Sequence, residues 1–346
     1  MKKYILNIGL LVFVCSGVTK AQDFHLSQYD VSNMYYNPAL TGMYGADKGD
    51  YRIYVDNRSQ WRSLGVKPYY TTYLGYDMPY TVKDKKIGLG AYFVNNRTGP
   101  GNFNTTQFLI SGAYNILDKK ADGIHYLTCG LQMGIFYKTF NTGNLTYDVQ
   151  YAPSVNGGSF DQNIASNEAY NNMNILKFDA NLGLFYKFLD KDEKVHPFVG
   201  YSMSHLNRAN ESFTGDVSRI PIKYMANCGV DWNIVDNKFD ITPRFLYMNQ
   251  GKSYEATIGM LMYYKLSSNY SVEATNVRLI AGFDYRVKDA AIIHLGLKDD
   301  TWMIRMSYDI NNSYINTFTK GRGAWELSLI FTGEKGKGFS KIIPKF

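Results

Sequence analysis

The sequence predicts an all-β fold: a transmembrane antiparallel β-barrel of about 14 strands, preceded by a short N-terminal segment that is not part of the wall. Three observations lead there. The chain opens with an export segment, long stretches then alternate apolar and polar residues, and the connections between those stretches alternate long and short.

The export segment is residues 1–21. Lys2 and Lys3 form a charged start, Tyr4 to Val18 is a mostly apolar run, and Thr19-Lys20-Ala21 ends on a small residue, so cleavage is expected after Ala21. The apolar run is shorter than a normal membrane span, which argues against an anchor. Cys15 follows Val14 where a lipoprotein needs a small residue. No later stretch approaches the ~18 apolar residues of a spanning helix, so membrane crossing by this exported chain requires strands.

Composition agrees. Of 346 residues 45% are hydrophobic and 16% aromatic, which excludes a disordered chain. The 30 Tyr against 4 Trp suit a boundary between oil and water. Removing Lys2, Lys3 and Lys20 from the 37 basic residues leaves 34 against 30 acidic ones, an excess of +4. With no basic stripe and no recognised motif, nucleic acid is not an expected partner.

Residues 22–50, "QDFHLSQYDVSNMYYNPALTGMYGADKGD", are polar, turn-rich and aromatic. They are expected either to plug the lumen or to rest at the periplasmic mouth. Within them "NPALTG" reads as a rigid turn, because Pro38 keeps Asn37 out of the helical region and Gly42 accepts positive φ.

The barrel is expected over 51–332. In "YRIYVDNRSQW" Tyr51, Ile53 and Val55 form one face and Arg52, Tyr54, Asp56 and Arg58 the other. The first set is expected to face lipid and the second the lumen, with Arg52 and Arg58 pairing with carboxylates or with carbonyls of residues 22–50. Further strands are expected near 69–78, 87–95, 104–116, 124–139 and 174–188. The last is the clearest, with Phe178, Ala180, Leu182 and Leu184 opposite Lys177, Asp179 and Asn181. Then come 196–206, 221–234 (Lys223 and Asp231 inward), 239–249, 254–265, 277–286, 290–297, 301–310 (Arg305 and Asp309 inward) and 323–331. Pro243 weakens the strand at 239–249. Cys129 and Cys228 fall mid-strand on the apolar face and read as free thiols. The tail, 333–346, is basic, Gly-rich and expected to be flexible.

Long connections near Arg62 and Gly99 and at 140–173 and 207–220 alternate with short ones at 119–123, 189–195, 235–238 and 298–300. Outer-membrane barrels show this alternation of outer loops and periplasmic turns. The short link 287–289 and the long link 266–276 break it and raise the possibility of a mis-split strand. A soluble β-sandwich also alternates, but several of these strands exceed its usual length of about 5–6 residues.

No chemistry is legible. None of His25, His125, His196, His205 and His294 has metal-ligand spacing, and neither CxxC nor GxSxG occurs. Ser204 and His205 are strand neighbours and point to opposite faces, so they form no dyad. No catalytic, cofactor or metal site is expected, and the chain does not read as an enzyme.

Several segments carry a further likeness. "QDFHLSQYDVSNMYYNPALTG", "YRIYVDNRSQWRSL", "HLNRANESF", "PIKY", "FLYMNQGKSYEATIG", "SYDIN" and "GRGAWELSL" resemble, in order, segments of the PorP/SprF family from Gln22 to about Phe331. Departures are mild: Tyr29 stands where Phe is frequent and Trp325 where another aromatic is usual. The resemblance implies an outer-membrane barrel of Bacteroidota associated with the type IX secretion system. It implies a role in export or surface attachment of large secreted proteins with a C-terminal sorting domain, gliding adhesins among them. It also implies links to secretion-machine and periplasmic peptidoglycan-binding components. The family supplies no catalytic residues. The motif positions Asn37, Pro38, Asn57, Gln60, Trp61, Arg62, Asn207, Arg208, Gln250, Gly251, Gly321, Arg322 and Gly323 are expected to be structural or docking positions. The alternative is a passive or selective channel for small solutes, since about fourteen strands leave room for a lumen.

Overall fold

The computed structural model describes residues 23–43, 49–65, 67–82, 85–99, 101–117, 125–141, 143, 145–153, 158–168, 173–189, 194–236, 238–266 and 276–334. The export segment 1–21 and most of the tail lie outside them.

Among the described residues sixteen strands follow in chain order: β1 (Tyr51–Gln60), β2 (Tyr69–Val82), β3 (Lys85–Thr98), β4 (Phe103–Asn115), β5 (His125–Thr139), β6 (Tyr151–Ala152), β7 (Ser159–Phe160) and β8 (Asn174–Phe188). The remainder are β9 (Val195–Ser204), β10 (Lys223–Val235), β11 (Phe239–Gln250), β12 (Ser253–Lys265), β13 (Arg278–Arg286), β14 (Ala290–Lys298), β15 (Trp302–Asn311) and β16 (Arg322–Gly333). β6 and β7 form a small ladder in the long loop before β8; the other fourteen close into one antiparallel barrel. Closure is made by β1 on β16, from Tyr51↔Gly333 to Gln60↔Ala324. The links 287–289 and 266–277 each separate genuine strands, so the irregular alternation belongs to the molecule and no strand is mis-split. The end that carries most of the long connections is the outer end.

The period-2 pattern sorts the two faces. Tyr54, Asp56 and Arg58 are buried inward on β1, and Arg52 points the same way onto Asp77. Outward residues such as Leu131, Met133, Ile135, Phe178, Ile258 and Leu295 are exposed, as a lipid-facing surface requires. Cys129 and Cys228 lie on this outward side and are not bonded to each other.

Pro243 sits within β11 and leaves a local mark. β11 pairs continuously with β12, including Pro243↔Met260. Toward β10 the pairing stops at Gly229↔Arg244 and resumes at Trp232↔Ile241. The Pro243 carbonyl lies on the β10 side, 2.7 Å from where a Cβ on Gly229 would stand. In an extended strand a residue's N–H and C=O point the same way, so the donor that proline lacks is missing on that side.

Residues 23–43 contribute no strand to the wall. They lie inside the ring, and Leu26, Val31, Met34, Tyr35 and Tyr36 are buried against inward Tyr54, Tyr73, Tyr92, Leu246 and Leu261. A single helical turn, Asn33–Tyr36, leads into a 3-10 turn, Pro38–Leu40, whose first N–H groups are capped by the Asn37 side chain through Ala39 N at 2.9 Å. This turn rests directly on the wall. A Cβ on Gly88 would collide with the Thr41 carbonyl, and one on Gly130 with the Pro38 carbonyl and Ala39 N. The outward Gly112 has nothing within 4 Å of its Cβ position. Gly130→Val is therefore expected to lift the turn and expose Tyr35 and Tyr36 to chymotrypsin, and to lower the temperature at which the folded band is lost on cold-loaded gels. Gly112→Val serves as the control and should change neither.

Candidate functional site: the plugged lumen and the outer rim

The inner segment is held by charge. Ser27 N and Gln28 N donate to the two carboxylate oxygens of Glu326 at 2.8 and 2.7 Å. Arg58 reaches across from β1, donating to Ser27 Oγ at 2.6 Å, to Asp309 at 2.8 Å and to Glu326 at 3.2 Å. Asp309 also accepts from Arg286 at 2.6 Å and from Ser27 Oγ. Beside this knot, Arg305 donates to Gln28 Oε1 at 2.7 Å and to Asp30 at 2.6 Å. Asp30 also accepts from Arg244, which pairs in turn with Asp284. Arg58, Arg286 and Arg305 are each 2% exposed or less, so every guanidinium must find its acceptors within the protein.

A second latch joins the start of the segment to the outer end. His205 Nε2 lies 2.8 Å from Asp23 and its Nδ1 2.9 Å from Asp179, with Lys223 Nζ 4.0 Å from Asp23. Asp23 N donates to Gln250 Oε1 at 2.8 Å. Burial alone would push the His205 ring down, but the two carboxylates outweigh it and raise the imidazole to about 10. Burial would push Asp23 up, but the His205 charge and hydrogen bond, with Lys223 behind, hold it well below the ordinary carboxylate range. Burial pushes the Tyr35 and Tyr36 hydroxyls well above theirs, so both stay neutral.

Of the inward charges anticipated from alternation, Arg58, Arg305 and Asp309 belong to the first group and Asp179 and Lys223 to the second. Asp56 accepts from Ser32 Oγ at 3.0 Å. Lys223 lies over the Tyr35 ring, 4.7 Å from its centroid. Lys187 pairs with Asp231 at 2.6 Å at the periplasmic end, where both remain partly exposed. Lys177 shares the inward register of β8 but is exposed near the outer end. Arg52 binds Asp77 on the neighbouring strand and Arg58 binds Asp309 and Glu326, so both arginines pair with carboxylates.

The motif positions gather in two places. Asn37 and Pro38 belong to the inner turn, and Asn37 Nδ2 donates to the Leu184 carbonyl at 2.9 Å. The others mark the outer rim. Trp61, in a left-handed conformation (φ 58°), donates its N–H to the Gly323 carbonyl where β1 meets β16. Arg62 donates to Ser59 Oγ and Tyr70 Oη and lies over the Trp325 ring. Asn57 donates to Thr72 across the β1–β2 pair. Gln60 ends β1 opposite Ala324, and Arg322 opens β16 exposed to solvent. Gly321, at φ 81°, receives Asn311 N on its carbonyl. Gly251, at φ 62°, makes the tight β11–β12 turn. Asn207 Nδ2 donates to the Phe178 carbonyl at 2.6 Å along the part of β8 that β9 does not cover, and Arg208 follows at φ 46°.

Asp23, Ser27, Gln28, Asp30, Arg286 and Glu326 were not singled out by alternation. Asp23, Ser27 and Gln28 stand in the "QDFHLSQ" segment, which was the available clue. Arg286 and Glu326 acquire their partners only when distant strands close. Among the described residues no three His, Cys, Asp or Glu side chains converge as a metal site.

The geometry defines a class: a membrane β-barrel whose lumen is occupied by its own N-terminal segment. The family described as type IX secretion system membrane protein PorP/SprF matches residues 18–331, and the chain belongs to it. It is an outer-membrane protein associated with type IX secretion. No curated protein matches the sequence. Among solved structures it is similar to the CymD monoaromatic hydrocarbon channel, at 11% identity and TM-score 0.47, over 93% of this chain and 96% of that one. It is also similar to the Pseudomonas putida toluene transporter TodX, at 10% and 0.43, over 89% and 93%. A third likeness is to BamA from Haemophilus ducreyi lacking POTRA domains 1–3, at 9% and 0.40, over 82% and 70%.

Two outcomes follow. Asp309→Ala strips the shared acceptor from Arg58 and Arg286, and breaking such a buried pair costs about 3–5 kcal/mol. The variant is expected to insert as a barrel yet lose protection of Tyr35 and Tyr36 against chymotrypsin. For the outer latch, a raised His pKa contributes fully below its unfolded value near 6.5, and that contribution is lost as pH rises through about 10. The depressed Asp23 contributes above its ordinary value and is lost only in strong acid. Protection of the inner segment should thus be greatest near pH 5 to 6, decline as pH rises above about 6.5 and level off near 10, and His205→Ala should abolish that alkaline decline in a chymotrypsin time course.

Proposed function

We propose that this protein is a non-enzymatic component of the type IX secretion system that supports export or surface attachment of particular large secreted proteins, such as gliding adhesins, and links to periplasmic machinery. The observation that carries this is the family match from 18 to 331 on a barrel whose lumen is filled by residues 23–43. A filled lumen moves the working surfaces to the two ends. At the outer end the long loop before β8 exposes Val149, Tyr151, Phe160 and Ile164, apolar contact area of the kind that protein partners bury. At the other end the short turns are available to cell-wall-binding or motor components.

Deleting the gene and comparing the proteomes of medium and cell surface tests the role. Loss of one or a few large proteins bearing a C-terminal sorting domain is expected. An unchanged surface proteome with altered solute uptake, or steady current from the pure protein in a planar bilayer, would instead establish a channel.

A further inference from the structure

One seam of the wall is only partly closed. β8 runs from Asn174 to Phe188, yet β9 pairs with it only from Leu182↔Met203 to Lys187↔Phe198. The cause lies just after β9. His205 and Arg208 are both left-handed, at φ 62° and 46°, and they turn the chain away from β8. A short hairpin follows, with Asn210 bridged to Arg219, and it leans over the mouth toward β4 and β5. There Glu211 pairs with Lys138, and the Phe213 ring meets the rings of Phe103 and Phe140.

The outer stretch of β8, residues 174–178, is thereby left as an edge. Leu206 N donates to the Ala180 carbonyl and Asn207 Nδ2 to the Phe178 carbonyl, and coverage stops there. Alternate residues of an antiparallel strand direct both backbone groups to the same neighbour. The Phe178 N–H and the N–H and carbonyl of Leu176 therefore point to the vacant side, where no partner meets them among the described residues. Proteins normally blunt such an edge, because it is a template for another strand. This one carries Leu176 and Phe178, 59% and 50% exposed. Along the ladder Phe178 stands in a row with Ile135 and Phe108, and Asn174 in a row with Thr139 and Asn104. The free edge thus begins in the apolar band, where unpaired backbone is costly, and runs out into the polar outer end, where a partner can reach it.

The side chains specify what pairs. Residues opposite each other on a ladder share a face. Leu176 and Phe178 call for apolar residues on the outward face, and Lys177, exposed between them on the other face, calls for an acidic one. Arg208 is exposed beside the seam and adds a second cation. The carboxylates nearby are already taken, Glu211 by Lys138 and Asp179 by His205.

We propose that the open edge of β8 takes an added strand from a protein partner: an extended segment of about five residues in which apolar and acidic side chains alternate. The proposal rests on the reading of the outer end as a partner surface, and it names the contact.

The full-length mature protein in lipid nanodiscs, titrated with a fluorescein-labelled heptapeptide of alternating valine and glutamate and followed by anisotropy, tests this. Saturable binding above that to empty nanodiscs is expected. The same peptide N-methylated at its central residues keeps its side chains but loses its ladder donors, and should bind about tenfold or more weaker. Leu176→Pro removes a free N–H on the vacant side and leaves the β5 ladder whole, and should weaken binding similarly. Lys177→Glu should reverse the preference toward a valine–lysine peptide. The lipid-facing Leu295→Ala should change nothing. Band shift on heating verifies that each variant is folded. Binding no greater than to empty nanodiscs would overturn the proposal, as would equal affinity for the N-methylated peptide or an unchanged affinity in folded Leu176→Pro. The readout needs no secreted cargo, so its failure overturns the β8 contact alone, whereas the deletion proteome bears on the role in secretion.

Discussion

Asp309 accepts hydrogen bonds from Arg58, Arg286 and Ser27 at once, from three separate parts of the chain. The rest of the lumen depends on such shared acceptors. A guanidinium shut away from water keeps its charge only if several acceptors surround it, and in a barrel those acceptors must come from facing strands or from whatever crosses the middle. Ser27, Gln28 and Asp30 supply the middle. The inner segment is therefore a counterpart that the wall charges require, and wall and segment are each incomplete alone.

The second constraint is steric. The turn at Pro38–Leu40 lies so near β3 and β5 that only glycine fits beneath it at Gly88 and Gly130. Backbone lies directly on backbone there, and this fixes the height of the segment in the lumen. The charged knot then sits under the outer rim, with the His205 latch above the segment's first described residues. Two kinds of contact thus set one position: charge pairs fix which residues meet, and the glycine floor fixes how closely.

Residues shared with the PorP/SprF pattern lie where the barrel closes and where the inner segment turns. Trp61, Arg62, Gly321 and Gly323 close the first strand onto the last at the outer rim, and Asn37 with Pro38 shapes the inner turn. The shared positions thus shape the closure of the wall and the path of the inner segment.

Alternation by itself determined the fourteen strands, their two faces and the inward direction of Arg58, Asp179, Lys223, Arg305 and Asp309, because side-chain period is a local property of extended backbone. It also placed Pro243 as a weak point, and the structure shows where the weakness falls: on the β10 side only, a matter of which neighbour faces the missing N–H. The choice between a plug and a periplasmic segment for residues 22–50 was not legible, since polar, turn-rich sequence suits either place. Nor was the importance of His205, which reads as an ordinary strand-end residue until Asp23 is brought beside it across 182 positions of sequence. Pairings of that range depend on ring closure and on the path of the inner segment. Only the tertiary structure decides them, because the partners share no local pattern and meet only when β1 closes on β16.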